Sequence, residues 1–275
     1  MYVVGIGPGD PAHLSQRARD VLLGAQVIVG YRTYIDLIAP MISGKEIVRT
    51  GMTQEVDRVS AAVDLARQGK TVALVSSGDP GIYAMAGLVF EICAARAIAV
   101  TAAGVPKPSQ DDASLAVEVV PGIPALCAGA ALLGAPLMHD FAAISLSDLL
   151  TQWEVIERRL HAAAGADFVL VIYNPKSKKR NWQLEKARQI ALAYRAPETP
   201  VGIVTSAMRK EQRIALTTLG DLHTAEVDMQ TTVFIGNSTT TRYGDFMYTL
   251  RGYAGKYEIG ELAAAGARRK SNGQF

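Results

Sequence analysis

Four short loops hold the residue types with which this 275-residue chain could do chemistry: Gly5-Ile-Gly-Pro-Gly-Asp-Pro11, Ser77-Gly-Asp-Pro-Gly81, Pro121-Gly-Ile-Pro-Ala125 and Tyr173-Asn-Pro175. Glycine lets a ligand approach the backbone and proline stiffens a loop, so these segments offer carbonyls and amides. The first loop does not complete a dinucleotide fingerprint. Its third glycine would stand where Asp10 is, and the second strand ends Val29-Gly30-Tyr31, without the acid that holds a ribose. No Gly-Lys-Ser/Thr is present to cradle phosphates, so by itself the loop reads as a structural turn. Four such loops, each following a strand, describe a cleft lined by backbone groups. Lys176, Lys178, Lys179 and Arg180 follow the last of them. Cations at a helix start oppose the helix dipole, which favours a ligand role over a solvated helix start. Arg32, Arg209 and Arg242 lie near other loops. His139-Asp140 is either an acid–base pair or a hydrogen-bonded turn. Tyr31 and Tyr34 suit a core or a cleft wall equally. His13, His161 and His223 carry no assigned role, and no His/Cys/carboxylate cluster has metal-site spacing.

Alternating strands and helices must position these loops. Met1–Gly5, Gln26–Gly30, Thr71–Ser76 and Ala116–Val120 read as strands; Leu14–Leu23, Glu55–Gln68 and a segment ending near Ala95 read as helices. Such alternation predicts a mainly parallel sheet. Residues 102–114, rich in Pro, Ser and Asp, read as a mobile excursion. The neutral stretch Val119–Met138 is broken by Pro121, Gly122, Pro124, Gly129, Gly134 and Pro136, so it predicts a loop and a short helix instead of a membrane span. Beyond it, Phe141–Ser145, Asp167–Tyr173, Pro200–Thr205, Gln212–Thr217 and Thr231–Gly236 read as strands, and Leu149–Ala163 (capped by Ser147 or Asp148) and Trp182–Tyr194 as helices. The close spacing of the later strands predicts a mixed sheet. The expected domains are 1–120 and 121–255, both α/β, with a cofactor cleft between them and a frayed tail over 256–275.

Composition narrows the function. The chain is 49% hydrophobic and 20% charged, which is globular. Its net charge of +2 excludes a general nucleic-acid binder. Two cysteines, Cys93 and Cys127, cannot build a disulfide scaffold; both read as buried free thiols in a reducing cytosol. The opening Met1-Tyr-Val-Val-Gly5 has no basic stretch ahead of an apolar one, so no signal peptide is expected, and the location is cytoplasmic.

On these residues the chain resembles the tetrapyrrole (corrin/porphyrin) methyltransferases, the class III fold that uses S-adenosylmethionine. The marks are Val4-Gly-Ile-Gly-Pro-Gly-Asp10, Ser77-Gly-Asp-Pro-Gly-Ile-Tyr83 and Val119-Val-Pro-Gly-Ile-Pro-Ala125. Ile144-Ser-Leu-Ser-Asp-Leu-Leu150 with Trp153-Glu154, Tyr173-Asn-Pro-Lys-Ser-Lys-Lys-Arg180 and Gly236-Asn-Ser-Thr-Thr240 resemble the precorrin-3B C(17)-methyltransferases and their cobalt-substrate counterparts. Those relatives tend to have Pro where Gln152 stands. The resemblance implies methylation of carbon 17 with ring contraction, on the route to cobalamin. It implies cofactor contacts at Pro8, Ser77, Gly78, Asp79, Ile82, Pro124, Ala125, Asn174 and Ala207. A polycarboxylate substrate would meet Lys176, Lys178 and Arg180. Asp79, His139 and Ser145 (with Ser147) are the candidates for moving protons. The product would be S-adenosylhomocysteine, no metal is implied, and the assembly would be a homodimer with neither nucleic acid nor membrane as partner. Another corrin or uroporphyrinogen methyltransferase of the same fold, or a non-catalytic nucleotide-binding module, stays open as an alternative.

Overall fold

The apolar runs of the first half become strands of one parallel sheet. In the computed structural model, which describes residues 1–104, 114–177, 179–257 and 259, they appear as β1 (Tyr2–Gly5), α1 (Gln16–Gly24), β2 (Val27–Tyr31), α2 (Arg32–Ile38), β3 (Glu46–Thr50), α3 (Glu55–Arg67), β4 (Val72–Ser76), α4 (Met85–Ala95), β5 (Val100–Ala102) and β6 (Leu115–Val120). The order is β3-β2-β4-β1-β6-β5, with every pairing parallel. Alternate side chains supply two cores. Val3, Val27, Val29, Val72 and Leu74 pack with Val59, Val63, Val89 and Ile92 of α3 and α4. Val4, Ile28, Ala73 and Val75 pack with Ala18, Val21, Leu22, Ile35 and Ile38 of α1 and α2. A strand apolar on both faces must be covered on both, as a doubly wound sheet does. Each fully buried Val, Leu or Ile contributes about 1.5–3 kcal/mol, so a charged residue at any of these positions would break the unit.

α5 (Ala125–Leu133) follows, then β7 (Gly134–Ala135), β8 (Phe141–Ser145), α6 (Trp153–Gly165), β9 (Val169–Tyr173), α7 (Gln183–Leu192), β10 (Pro200–Thr205), β11 (Arg213–Thr218), β12 (Thr231–Ile235), β13 (Thr240–Tyr243) and β14 (Phe246–Thr249). The five-stranded sheet runs β11-β10-β12-β9-β8. Only β8 and β9 are parallel in it. β13, β14 and β7 form a separate small sheet. α6 and α7 bury Ile156, Leu160, Ala187 and Ile190 on Leu170, Ile172, Ile203 and Val233.

Two units result. The first holds Met1–Ala128 and Ser206–Gln212; the second holds Gly129–Thr205 and the chain from Arg213 on. The division falls inside α5, not at the end of β6 where the composition changes, and the loop between β10 and β11 goes with the first unit. No helix among the described residues is long and apolar enough to cross a membrane.

Three sequence expectations need correction. α6 starts at Trp153, not Leu149, and neither Ser147 nor Asp148 caps it. The Asp148 carboxylate is taken by Gln183 Nε2 (2.8 Å), which holds residues 146–152 out of the helix. Cys127 is exposed, although Cys93 is buried. α2, β3, β5 and the small sheet were not foreseen: β3 and β5 are edge strands with little apolar alternation. Residues 105–113 of the expected excursion, and 258 with 260–275 of the expected tail, lie outside the described residues.

Candidate functional site

β4, β1 and β6 are neighbours in the parallel sheet, so their following loops leave the same edge side by side. Ligands of such sheets bind beyond the carboxyl ends of the strands. Here the three loops meet backbone to backbone. Gly7 and Gly78 exchange hydrogen bonds, Gly7 N to Gly78 O at 3.2 Å and Gly78 N to Gly7 O at 2.7 Å. A Cβ on Gly5 would fall 2.6 Å from Gly78 O, and one on Gly122 would fall 2.2 Å from the same atom. No L side chain fits at either position. Asp79 completes the assembly: its Oδ1 accepts from Gly81 N (2.8 Å) and its Oδ2 from Gly122 N (3.1 Å). Oδ1 therefore closes the β4 loop on itself, and Oδ2 joins that loop to the β6 loop.

A fourth segment reaches this cluster from far along the chain. The loop 206–212 joins β10 to β11, yet Arg209 Nε donates to Pro8 O (2.5 Å) and Nη2 to Ser77 Oγ (2.9 Å). Burial pushes the Arg209 guanidinium below its usual range, with Tyr34 and Glu211 opposing. Burial likewise pushes the Tyr34 phenol up, against Arg209 and Arg58. Tyr34 stacks edge-on against Tyr31 (5.2 Å), and Arg58 lies over the Tyr31 ring (5.8 Å). The two tyrosines thus line the strand ends, packed by cations. Sequence reading placed Arg209 among rim cations; the structure shows a clamp between the Pro8 and Ser77 loops. With Pro8 and Ser77 201 and 132 residues away, no local pattern signals that role.

The second unit presents its own loops where β8 and β9 end. Asn174 Nδ2 donates to Ser145 Oγ (2.9 Å), which also accepts from Ser147 N (3.2 Å). Arg180, only 6% exposed, donates from Nε to Asn174 O (2.8 Å). Burial lowers its pKa, with Asp148 opposing. The side chain expected at a substrate rim is folded under the loop that presents Asn174. Lys176 is exposed, and Lys178 lies outside the described residues. Asn174 Oδ1 has no partner among the described residues.

Backbone strain marks both clusters. Seven non-glycine residues among those described have positive φ, and four touch or adjoin the expected cofactor positions: Tyr83 (52°) beside Ile82, Asn174 (51°), and Ser206 (50°) and Met208 (55°) on either side of Ala207. Such conformations cost of order 1–3 kcal/mol each and gather where function requires them.

Not every expected residue joins in. His139 stands before β8 and Ser145 ends it, so the two are about 20 Å apart at opposite ends of a strand. The exposed His139 ring accepts from Asp140 N (2.9 Å), and its Nδ1 lies 3.6 Å from Asp140 Oδ2. The Gly236-Asn-Ser-Thr-Thr240 motif sits by the start of β9, at the far end from Asn174. There Asn237 Nδ2 donates to Asp167 O (3.1 Å), Ser238 donates to the Asp167 carboxylate, and buried Arg195 donates to the Gly236 and Phe168 carbonyls. That motif serves folding. No group of three metal-ligating residues occurs among the described residues.

The family model of the tetrapyrrole (corrin/porphyrin) methylases matches residues 1–223. The cobalt-factor III methyltransferase of Priestia megaterium is 47% identical over 261 residues, 95% of this chain and 46% of that protein. The probable cobalt-factor III C(17)-methyltransferase of Salmonella typhimurium is 46% identical over 253 residues, 92% of this chain and 99% of that protein. The chain therefore spans less than half of one relative and nearly all of the other. Among solved structures, the methyltransferase CobJ superposes with a TM-score of 0.79 at 36% identity, covering 90% of this chain and 98% of that one. This chain belongs to the tetrapyrrole (corrin/porphyrin) methylase family.

Proposed function

We propose that this chain methylates carbon 17 of a tetrapyrrole, cobalt-factor III or precorrin-3B, with S-adenosylmethionine as donor, in cobalamin biosynthesis. The observation that carries the reading is the end-to-end match at 46% identity to a protein named for that reaction.

The chemistry of the loops fits the donor. An amino acid joined to a nucleoside through a sulfonium calls for neutral carbonyls, amides and hydroxyls, and the first unit's strand ends offer those with no phosphate-binding lysine. Pro8, Ser77, Gly78, Asp79, Ile82, Pro124 and Ala125 would hold its methionyl and ribose parts, and Asn174 and Ala207 its adenine. When bound, S-adenosylmethionine supplies an electrophilic methyl group. The protein's task is alignment, because an in-line displacement by an electron-rich carbon needs reacting atoms held in place more than it needs a strong base. Asp79 and Arg209 perform that task by fixing four loop segments with four hydrogen bonds. Arg180 fixes the backbone of Asn174. For the proton movement that ring contraction needs, Asp79 and Ser145 stand at strand ends; His139 is at the wrong end of β8. Exposed Val119, Ile123 and Met138 in the neutral segment support a homodimer.

The test is turnover. Purified protein with S-adenosylmethionine should convert cobalt-factor III or precorrin-3B to a product one methyl group heavier, and the comparison of the two substrates decides the metal question. No methylated product from either would overturn the proposal.

A further inference from the structure

The loop from β8 to α6 does something unusual with two leucines. Leu149 is 79% exposed and Leu150 is 101% exposed, the most exposed large apolar side chains among the described residues. They are not on a loose strap. Leu146 is fully buried and its amide donates to Tyr173 O (3.0 Å). Ser147 N is bound to Ser145 Oγ, and Asp148 to Gln183, itself 2% exposed. At the other end Trp153, the first residue of α6, meets Trp182 edge-on at 4.7 Å. The loop 146–152 is thus pinned on both sides against the segment 174–182, and it holds its leucines in water. Trp182 is itself half exposed.

The neighbouring segment supplies charge. Lys176 and Lys179 are exposed and have no ion-pair partner among the described residues. A nearby acid, Asp148, is bound by Gln183 and faces Arg180. Two exposed leucines on a loop tied to the segment that carries these lysines match a flat, apolar molecule bearing carboxylates. The loop lies at the carboxyl ends of the parallel pair β8 and β9, where ligands of such sheets bind.

We infer that Leu149 and Leu150, edged by Lys176 and Lys179, form the platform on which the face of the tetrapyrrole macrocycle rests, its carboxylates reaching the lysines. The inference rests on the proposed function and names the side chains that would select its substrate. The chain's two tryptophans, Trp153 and Trp182, both stand at this platform and report on its occupancy.

The experiment compares wild type with Leu149→Ser/Leu150→Ser and with Lys176→Ala/Lys179→Ala, using cobalt-factor III as probe. The leucine variant should raise KM, and the midpoint of tryptophan quenching, by about tenfold or more, since two apolar side chains lose their cover. S-adenosylhomocysteine affinity, circular dichroism and molar mass should not change. The lysine variant should raise KM by a similar factor at low salt and by less at high salt. Wild-type KM in both variants of an active enzyme would overturn the inference and leave the function standing. A fall in molar mass in the leucine variant would overturn it too, by showing that the leucines cover a second copy of the chain. Failure of the wild type to bind or methylate any tetrapyrrole would sink both readings.

Discussion

The loops at the strand ends of the first unit are built from backbone, and those of the second from side chains. In the first, a carbon added at Gly5 would fall 2.6 Å from Gly78 O, and one added at Gly122 would fall 2.2 Å from the same atom. In the second, Asn174, Ser145, Gln183, Asp148 and Arg180 hold the chain through hydrogen bonds between 2.8 and 2.9 Å. The backbone assembly is rigid because nothing in it can rotate away. The side-chain assembly holds the Asn174 carboxamide on Ser145 and leaves two lysines and two leucines exposed. The first arrangement fixes the chain by excluding side chains, the second by pairing them.

The sharpest way to break that comparison is Gly122→Ala. Its Cβ would lie 2.2 Å from Gly78 O and 2.9 Å from Gly5 O, both backbone atoms with no room to move. We expect about 3 kcal/mol of destabilisation in urea and loss of measurable S-adenosylhomocysteine binding by calorimetry. An alanine variant that binds as wild type does would mean the loops are looser than a backbone lock.

Next in size is Arg209→Ala. It removes two charge-assisted hydrogen bonds and separates the Pro8 loop from the Ser77 loop. Each such bond contributes about 1.5–3 kcal/mol, so S-adenosylhomocysteine affinity should fall at least tenfold while the far-ultraviolet spectrum stays native. Arg209→Lys should recover little, because an ammonium is a point charge and cannot span both acceptors as a planar guanidinium does. Unchanged affinity in the alanine variant would reduce Arg209 to packing.

These two residues also show where sequence reading reaches its limit. The strand–loop–helix order and the glycine loops were legible because each is local: apolar period, then Gly, Asp and Pro. That Gly122 rather than Gly81 must lack a side chain was not, since it depends on Gly5 and Gly78 arriving from other strands. Arg209 was visible only as a cation near a loop. Arg180 was read as a rim charge because burial depends on Asn174 O and Met229 lying above it. α6 was started four residues early for a similar reason. Leu149 and Leu150 look like a helix's apolar face until Gln183 takes the side chain of Asp148.

Asn174 sharpens the comparison from the second unit. Its φ of 51° suits glycine, and its side chain secures Ser145. Asn174→Gly relieves the backbone and loses the bond; Asn174→Ala loses the bond and keeps the strain. The alanine variant should be less stable than the glycine variant by about 1 kcal/mol, measured by thermal unfolding. Both should weaken S-adenosylhomocysteine binding if the carboxamide meets the adenine. Equal stability of the two variants would show that the loop, not the residue, sets the φ.

The smallest effect is expected where the two units are alike. Each carries an Arg–Glu pair: Arg17 of α1 with Glu118 of β6 in the first, Arg188 with Glu185 along α7 in the second. The hydrogen bond from Arg188 lowers the Glu185 pKa from 4.5, against desolvation and with help from Gln189; Glu118 is lowered in the same way by Arg17. A carboxylate whose folded pKa lies below its unfolded value stabilises the fold above the unfolded value, near 4.5 here. That contribution fades as the pH falls through the folded pKa. Arg188 also reaches Gly220 O (3.1 Å), tying α7 to the segment before Leu222. Glu185 is more than a third exposed, so solvent screening keeps the pair's worth below about 1 kcal/mol. Glu185→Gln should therefore lower stability slightly at pH 7, and the deficit should shrink as the pH falls below about 4.5, when both are followed by urea unfolding. A deficit that persists undiminished in acid would mean that the glutamine disturbs packing and that charge has no part in it. The contrast between the units then rests on their loops, because their surface ion pairs respond to acid in the same direction.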